Sequence, residues 1–398
     1  MKPCLSALII AISVVWAMPA FGAYPQTMAS DAPWVNLPWP SDDPRWAKAF
    51  SHWDKRANTD EVMAAVKIFK AIAADKPDQM ESQMWLCRSY FVAALRNSSK
   101  RNDYGKLAKA AGKKALDVKP DDDNVKYWYA SSIVLHREFT KNELEEVRAL
   151  GKKYRHISPL PGYNDPLFEE AAALWDKRIE KDKVLALIKV LQKIEAINPE
   201  MVEPKIWLCA AYSSMGMHED TDEKKAEWMK KSMESGEAAL KMEPRNPAAN
   251  FFLSSCQGEY GVRTNPLNFA RYALDIGREL QIVVEEDPHY MFGGFARYLA
   301  AAIGVTGPLV AKIAEILGFP EDLILRITTF AKDFEPDYID NRYCLALMLF
   351  ELGKEEEAKK ELLMAVNGDP TKLPGYEAEN RYVQKEAKKF YNEKYPEE

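Results

Sequence analysis

The sequence has little of the chemistry that most enzymes use. Its five histidines are scattered, at positions 52, 136, 156, 218 and 289, and no two of them lie four residues apart. It contains no HExxH, G-x-S-x-G, P-loop or G-x-G-x-x-G segment, so the sites that those motifs build are not predicted. We expect a non-catalytic protein with no metal and no cofactor. An enzyme that uses cysteine or histidine is a further alternative that no motif supports.

Cysteine is scarce as well. The chain has five cysteines, and Cys4 precedes the first apolar run. The other four, Cys87, Cys209, Cys256 and Cys344, are too few for a disulfide scaffold in a chain of 398 residues. No CxxC pair and no Cys/His cluster accompanies them, which disfavours a metal or redox site.

Neither sign of charge is concentrated in one part of the chain. The 54 basic and 60 acidic residues give a formal net charge of −6 and are interspersed. Such a surface gives no electrostatic reason to expect nucleic acid or an anionic membrane as partner. After the N-terminal region, the most apolar stretch is 299–319, which Pro308, Lys312 and Glu315 interrupt. We therefore predict no membrane span there.

The first 22 residues have the pattern of a secretory signal peptide. Lys2 supplies the positive start, residues 5–17 are apolar, and Ala20-Phe21-Gly22 offers small residues for cleavage. We expect cleavage after Gly22 and an exported, periplasmic protein that is soluble. An uncleaved membrane anchor is the alternative, but the apolar run is short for a span of roughly 20 residues.

The next segment is rich in proline and tryptophan. Five prolines between residues 23 and 45 predict an extended arm, and Trp34 and Trp39 suggest that it docks on a helical body. The expected order is a signal peptide at 1–22, the arm at 23–57, a first helical repeat module at 58–157, a second at 158–287, and a C-terminal module at 288–398.

One heptapeptide occurs twice. MWLCRSY begins at Met84, and IWLCAAY begins 122 residues later at Ile206. In both copies a proline, Pro77 or Pro199, stands nine residues before the leucine. Downstream, GKKALDVKP and GEAALKMEP end at prolines that are 124 residues apart. The chain therefore contains an internal duplication, and such periods are typical of helical repeat arrays.

A shorter unit lies inside the long one. LALMLFELGKEEEAKKELLMAVNGDP runs from Leu345 to Pro370, and Pro336 stands 34 residues before Pro370. This segment resembles the tetratricopeptide repeat, whose pattern is Leu-small-x-x-Tyr, Ala-x-x-x-aromatic and Pro over 34 residues. The resemblance implies an all-α fold, a superhelical array of tetratricopeptide-like helical hairpins (an α-solenoid).

The duplicated cysteine stands in the small-residue position of that pattern. The residue after the leucine lies where the two helices of a hairpin come closest, and a free cysteine behaves as a small hydrophobe. We predict that ten residues pack the repeats: Leu86, Cys87, Tyr90, Leu208, Cys209, Tyr212, Leu345, Ala346, Ala358 and Ala365. A bridge between Cys209 and Cys256 stays open, because both would lie on first helices of successive repeats.

A glycine pair opens the third module. We expect Gly293 and Gly294 to break the helix before them, and 304–308 to break the next one. Two interpretations of this segment stay open: a ligand pocket lined by aromatics with one cation, or a helix corner whose arginine caps carbonyls. The candidate ligand-binding residues are His289, Tyr290, Gly293, Gly294, Arg297 and Tyr298.

This segment adds a second resemblance. A glycine pair, an arginine, an apolar stretch and a final repeat resemble the T component of periplasmic TRAP transporters, as does the Gly-x-x-Ala-Leu-x-x-x-Pro pattern that begins at Gly112 and Gly236. The resemblance implies an exported helical protein that pairs with a solute-binding protein and contains an internal apolar channel. Members are often lipid-anchored, and no anchoring cysteine is visible here.

Two functions follow as expectations. The first is a periplasmic binding protein that pairs with another periplasmic protein, such as a solute-binding protein, and holds an apolar small molecule. The alternative is a cell-envelope scaffold for protein–protein interaction or assembly, with no small-molecule ligand. A second copy of the chain stays open as a partner, and nucleic acid is not expected.

Overall fold

The computed structural model describes residues 42–135, 140–143, 145, 149, 165–264, 266–288, 290, 294–306, 311–312, 314–315, 319–373 and 376–396. They form two compact units, the first within 31–156 and the second within 157–398. The predicted signal peptide, residues 23–41 of the predicted arm, and two candidate ligand residues, His289 and Gly293, lie outside the described residues. No strand and no helix long and apolar enough to cross a membrane occurs in the ranges given above.

The first unit consists of consecutive helices that pack on their neighbours in the chain. A short 3₁₀ turn, Ser98–Lys100, connects the third helix to the fourth, and the third also contacts the fifth. The helices are α1 (Pro44–Trp53), α2 (Thr59–Asp75), α3 (Met80–Arg96), α4 (Arg101–Val118) and α5 (Asp123–Leu135).

The second unit has the same arrangement of consecutive helices. Its helices are α6 (Pro166–Trp175), α7 (Lys181–Ile197), α8 (Glu203–Met217), α9 (Asp222–Met242), α10 (Pro247–Thr264), α11 (Pro266–Glu286), α12 (Gly294–Thr306), α13 (Glu321–Phe334), α14 (Ile339–Glu351), α15 (Glu355–Val366) and α16 (Glu377–Lys394). Chain neighbours again pack as hairpins, and α8 also contacts α10. The prediction of an all-α array of tetratricopeptide-like hairpins is confirmed.

Local sequence signals set the ends of these helices. The side chains of Asp43, Asn58 and Asp165 accept a hydrogen bond from a backbone N–H in the first turn of α1, α2 and α6. Such caps satisfy donors that have no partner within the helix. The prolines found by spacing stand in the turns between hairpins, where a missing N–H costs nothing. They are Pro77, Pro120, Pro199, Pro244, Pro336 and Pro370.

The first helix of each central hairpin is enclosed on all sides. Every residue is buried from Ser82 to Leu95 in α3, from Ile206 to Met215 in α8, and from Asn246 to Glu259 at α10. A helix that meets protein in every direction needs no polar face, which explains why most residues of these segments are small or apolar.

The duplicated cysteines lie above glycines of the second helix in each hairpin. A Cβ added at Gly112 would lie 3.1 Å from Sγ of Cys87, and one added at Gly236 would lie 3.1 Å from Sγ of Cys209. Each sulfur therefore occupies the space that the missing side chain leaves. The ten residues predicted to pack the repeats are all buried.

The predicted arm at 23–57 is not extended throughout, because residues 44–53 form α1. Asp43 caps this helix, and Pro44 occupies its first turn, where a fixed φ and a missing N–H suit a helix. Trp46, Ala49 and Trp53 share one face and are buried. The proline at 44 therefore starts a helix rather than continuing an arm, and the hairpin of α1 and α2 begins before residue 58.

The helix α12 ends inside the segment 304–308, where a break is predicted, but Gly304 itself does not break it. This residue lies inside α12, which runs to Thr306. A Cβ at Gly304 would lie 2.6 Å from the backbone carbon of Leu347 and 2.7 Å from its Cβ. The glycine therefore allows α14 to approach α12 closely, a use that outweighs its weak helix propensity.

We predict that Gly304→Ala destabilises the second unit by about 1–3 kcal/mol, because the new Cβ meets backbone that cannot move alone. The measurement is urea unfolding followed by circular dichroism. Gly216→Ala is the matched control, since its closest contact is the flexible end of Met229. It should be neutral or stabilising by up to about 1 kcal/mol. Equal effects of the two changes would contradict the close approach.

Candidate functional site

A Trp–Trp–Arg motif occurs once in each unit. In the second unit the motif is Trp175, Arg178 and Trp207: the two indole rings meet edge to face at 5.0 Å, and the guanidinium lies 4.8 Å above the Trp175 ring. Nη1 of Arg178 also donates to the carbonyl of Trp175 at 3.0 Å. An arginine over an indole face is a favourable cation–π arrangement.

The motif of the first unit is Trp53, Arg56 and Trp85. Its rings meet edge to face at 5.7 Å, and the Arg56 guanidinium lies 5.0 Å above Trp53. Sequence reasoning missed this motif, although its signal is plain. Trp-Asp-Lys-Arg occurs at 53–56 and at 175–178, with the offset of 122 that the heptapeptides have.

The two copies differ in what completes them. In the first unit a second buried arginine, Arg88, lies over the rings of Trp53, Trp85 and Trp128 at 5.4, 5.2 and 4.7 Å. The heptapeptide places Ala210 at the corresponding position of the second unit. The interior of the first unit therefore contains an arginine, Arg88, and an indole ring, Trp128, beyond the motif itself, and the described interior of the second unit does not add such a pair to its motif.

In the second unit a distant carboxylate completes the motif. Nε of Arg178 donates to Oε1 of Glu379 at 3.1 Å, and Nη2 of the same arginine contacts that oxygen as well. Both side chains are only 1% exposed. Burial raises the pKa of Glu379, and Arg178 opposes that rise. This ion pair, which we name the clasp, joins the end of α6 to α16 across 201 residues of sequence.

Contacts between uncharged groups also hold α16 in place. Oδ1 of Asn380 accepts a hydrogen bond from the backbone N–H of Ile339 at 3.0 Å, which satisfies a donor at the start of α14. The ring of Phe390 lies 6.3 Å from that of Tyr343 and 5.6 Å from that of Phe350. The chain therefore uses its own C-terminal helix to cover the side of α14 that these rings form.

Several polar side chains of α10 and α11 lie inside the second unit. Nε2 of Gln257 donates to Oε1 of Glu279 at 3.1 Å, and Arg263 pairs with Glu259 at 2.7 Å. One oxygen each of Gln257, Glu259 and Glu279 is buried with no hydrogen-bond partner among the described residues. We name Gln257, Glu259, Glu279 and Tyr298 the inner polar cluster.

Burial controls the protonation of this cluster. It raises the pKa of Glu279 to about 8, with the hydrogen bond from Gln257 opposing the rise. It raises the pKa of Glu259 to about 7, although Arg263 favours the ionised form. Burial, followed by the two nearby carboxyls, also raises the pKa of Tyr298. At neutral pH the Glu279 carboxyl is therefore mainly protonated and can donate a hydrogen bond.

The structure places the described candidate ligand residues in different surroundings. Gly294 starts α12. Tyr290 is buried, with its ring 5.5 Å from that of Phe251, whereas Tyr298 belongs to the inner polar cluster. Arg297 donates to Oδ2 of Asp340 and to the side-chain amide oxygen of Asn341, both at 3.0 Å, and its guanidinium lies over the ring of Tyr338. Of the four, Tyr298 is the one in the inner polar cluster.

The cysteines have surroundings that oppose chemistry by a thiolate. Burial raises the pKa of Cys87 to about 12 and raises those of Cys209 and Cys344 as well. A nucleophilic cysteine needs a lowered pKa and access to solvent. Among the described residues, no group of three His, Cys, Asp or Glu side chains could hold a metal ion.

Comparisons with known proteins are distant. No protein-family model and no curated protein matches the chain. Among solved structures it is similar to human IFIT1, in a dimer with PPP-AAAA, at 14% identity and a TM-score of 0.29, over 76% of this chain and 67% of that chain. For yeast Tom70 the identity is 12% and the TM-score 0.33, over 96% and 71%. For the TPR domain of P58(IPK) they are 13% and 0.20, over 87% and 99%.

The identities and TM-scores of these matches are low, so the matches support no statement about function. The hairpins, the proline spacing and the small residues at helix contacts define this chain as a tetratricopeptide-like helical repeat protein. Arrays of this kind commonly bind other proteins or peptides through their surfaces.

We predict that Glu379→Ala destabilises the second unit by about 3–5 kcal/mol, because it removes the carboxylate partner of a buried arginine. A double variant with Arg178→Met and Glu379→Leu should lose less, since no buried charge remains. Glu377→Ala is the control: it breaks the exposed pair with Arg381 on the same helix and should cost less than about 1 kcal/mol. Urea unfolding measures all three, and equal costs for Glu379→Ala and Glu377→Ala would contradict a buried clasp.

The raised pKa of Glu279 predicts a pH-dependent stability. The folded state holds this proton up to about pH 8, whereas an unfolded glutamate releases it near its ordinary pKa of 4.5. The free energy of unfolding should therefore fall as pH rises from about 4.5 to about 8, by about 1–3 kcal/mol. Glu279→Gln should flatten this slope and stabilise the protein at pH 8.

The measurement is urea unfolding at several pH values. Glu227→Gln makes the same change on the exposed surface of α9 and should leave the slope as in the wild type. A wild-type slope in the Glu279→Gln protein would show that another group carries the effect.

Proposed function

We propose that this protein is a non-catalytic, exported helical-repeat binding protein that pairs with a solute-binding protein in TRAP-type uptake and holds a small molecule in its second unit. The inner polar cluster is the observation that carries the proposal. Buried polar atoms are normally hydrogen-bonded, because an unpaired one costs about 1–3 kcal/mol. Oxygens of Gln257 and Glu279 have no such partner among the described residues.

The chemistry of the cluster selects the kind of molecule. A mainly protonated Glu279 donates, Gln257 accepts, and the buried hydroxyl of Tyr298 is close enough to Glu259 and Glu279 for their charges to raise its pKa. A ligand with at least one donor and one acceptor on an apolar frame meets these groups better than a purely apolar one. The signal-peptide pattern and the resemblance of the glycine-pair segment support the exported, uptake-linked part of the proposal.

A scaffold without a small-molecule ligand is the second candidate. A groove of about 550 Å³ lies in the first unit between the turn at 75–81 and the end of α4, where Val118 and Lys119 line it. Val118 is 38% exposed. Exposed apolar side chains beside a groove suit contact with an extended segment of another protein.

One experiment separates the two candidates. The tagged protein is purified under mild conditions from the periplasm and analysed twice, by native mass spectrometry for retained small molecules and by proteomics for retained proteins. We expect a retained molecule and a solute-binding protein. Gln257→Leu should reduce the retained molecule about tenfold, the value of one lost hydrogen bond. Gln192→Leu, the same change at an exposed position of α7, should not reduce it.

Each other outcome has a defined meaning. Envelope assembly proteins without a small molecule would support the scaffold and contradict the uptake proposal. A retained molecule that is unaffected by Gln257→Leu would contradict the inner polar cluster as its site. Absence of the protein from the periplasmic fraction would contradict export.

A further inference from the structure

Two buried cysteines of the second unit meet at one serine. Oγ of Ser232 on α9 lies 2.7 Å from Sγ of Cys256 on α10 and 3.4 Å from Sγ of Cys209 on α8. The two sulfur atoms are therefore no more than about 6 Å apart. All three side chains are fully buried, and both cysteines are unbridged thiols.

The internal duplication shows that this pair is not required by the repeat itself. In the first unit Cys87 has a serine, Ser132, as its side-chain partner, and the proline spacing places Ala108 where the second unit has Ser232. The corresponding pair of buried side chains is therefore Cys87 and Ser132 in the first unit and Cys209 and Cys256 in the second.

We propose that Cys209 and Cys256 form a disulfide when the chain folds in the presence of a disulfide oxidant. The bond would join α8 to α10, the first helices of two successive hairpins, which already contact each other. Cys256 directly precedes Gln257, so the bond would also restrain the backbone that carries this residue of the inner polar cluster. Rotation of the Ser232 hydroxyl away from the sulfurs clears the path between them.

Electrons and protons balance as in ordinary thiol–disulfide exchange. The thiolate of one cysteine attacks glutathione disulfide, the sulfur–sulfur bond of the oxidant breaks, and one glutathione thiolate leaves. The second protein thiolate then attacks the cysteine sulfur of the mixed disulfide, and the second glutathione thiolate leaves. Two electrons pass to the oxidant, and the two protons end on glutathione.

Burial sets when this reaction takes place. Both sulfurs are inaccessible in the folded unit, where burial opposes the thiolate form of Cys209. The exchange therefore occurs while the hairpins of α8 to α10 assemble, before solvent is excluded. Once formed, the bond is protected from reductants for the same reason.

The test is oxidative refolding of the full chain. The protein is unfolded in urea, refolded with a mixture of oxidised and reduced glutathione, alkylated under denaturing conditions, and mapped by mass spectrometry without reduction. We expect a linked peptide pair that contains Cys209 and Cys256, with Cys87 and Cys344 alkylated. The oxidised protein should unfold at a temperature about 5–10 °C above that of the reduced protein.

Variants separate the bond from a packing effect. Cys256→Ser gives the second unit the cysteine–serine pair that the first unit has, so it should fold and lose the redox dependence of the unfolding temperature. Cys87→Ser should keep that dependence. Ser232→Ala, which introduces the residue of the first unit, should keep the bond. Alkylation of both Cys209 and Cys256 after oxidative refolding, or a bond that includes Cys4, Cys87 or Cys344, would overturn the proposal.

Discussion

The clasp between Arg178 and Glu379 constrains the second unit across 201 residues of sequence. It connects two ends of a helical array that otherwise makes contacts mainly between neighbours in sequence. A buried ion pair is stable only where its desolvation is offset by close geometry and further hydrogen bonds. Here the Trp175 ring and carbonyl hold the arginine, and Asn380 beside the carboxylate anchors the helix. The ion pair is therefore stable because neighbouring groups hold both side chains in place. As a consequence, α16 stays packed against α14.

Duplication kept the frame of each unit and changed its interior. The Trp–Trp–Arg motif and the contact between cysteine and glycine recur with the same spacing, because both hold helices at a fixed distance. Other ionisable side chains that are buried inside the two units differ. Arg88 lies among three tryptophans in the first unit, whereas carboxyls of Glu259 and Glu279 lie inside the second. A buried arginine in one copy and buried carboxyls with raised pKa values in the other indicate that the interiors diverged for different contacts.

Sequence reasoning succeeds here where the signal is local. The position of Cys87, one residue after Leu86 and on a helix that no solvent reaches, follows from the repeat pattern alone. The same local logic fails at Gly304, because the close approach of Leu347 is a tertiary fact that outweighs helix propensity. The clasp could not be predicted, since nothing in the composition pairs one arginine with one glutamate 201 residues away. The duplicated Trp-Asp-Lys-Arg could have been found by extending the alignment of the two copies toward the N-terminus.

The inner polar cluster has a physical cost that bears on function. A carboxyl such as Glu279, held mainly neutral by burial, makes the folded unit less stable as pH rises, and a leucine of similar size would avoid that cost. Buried groups that titrate near neutral pH are more common at functional sites than in structural cores. The cluster lies on α10, α11 and α12, whereas the clasp joins the turn after α6 to α16, so the two use different elements of the unit. A polar interior that the fold itself does not require is the strongest reason to look for a bound molecule in the second unit.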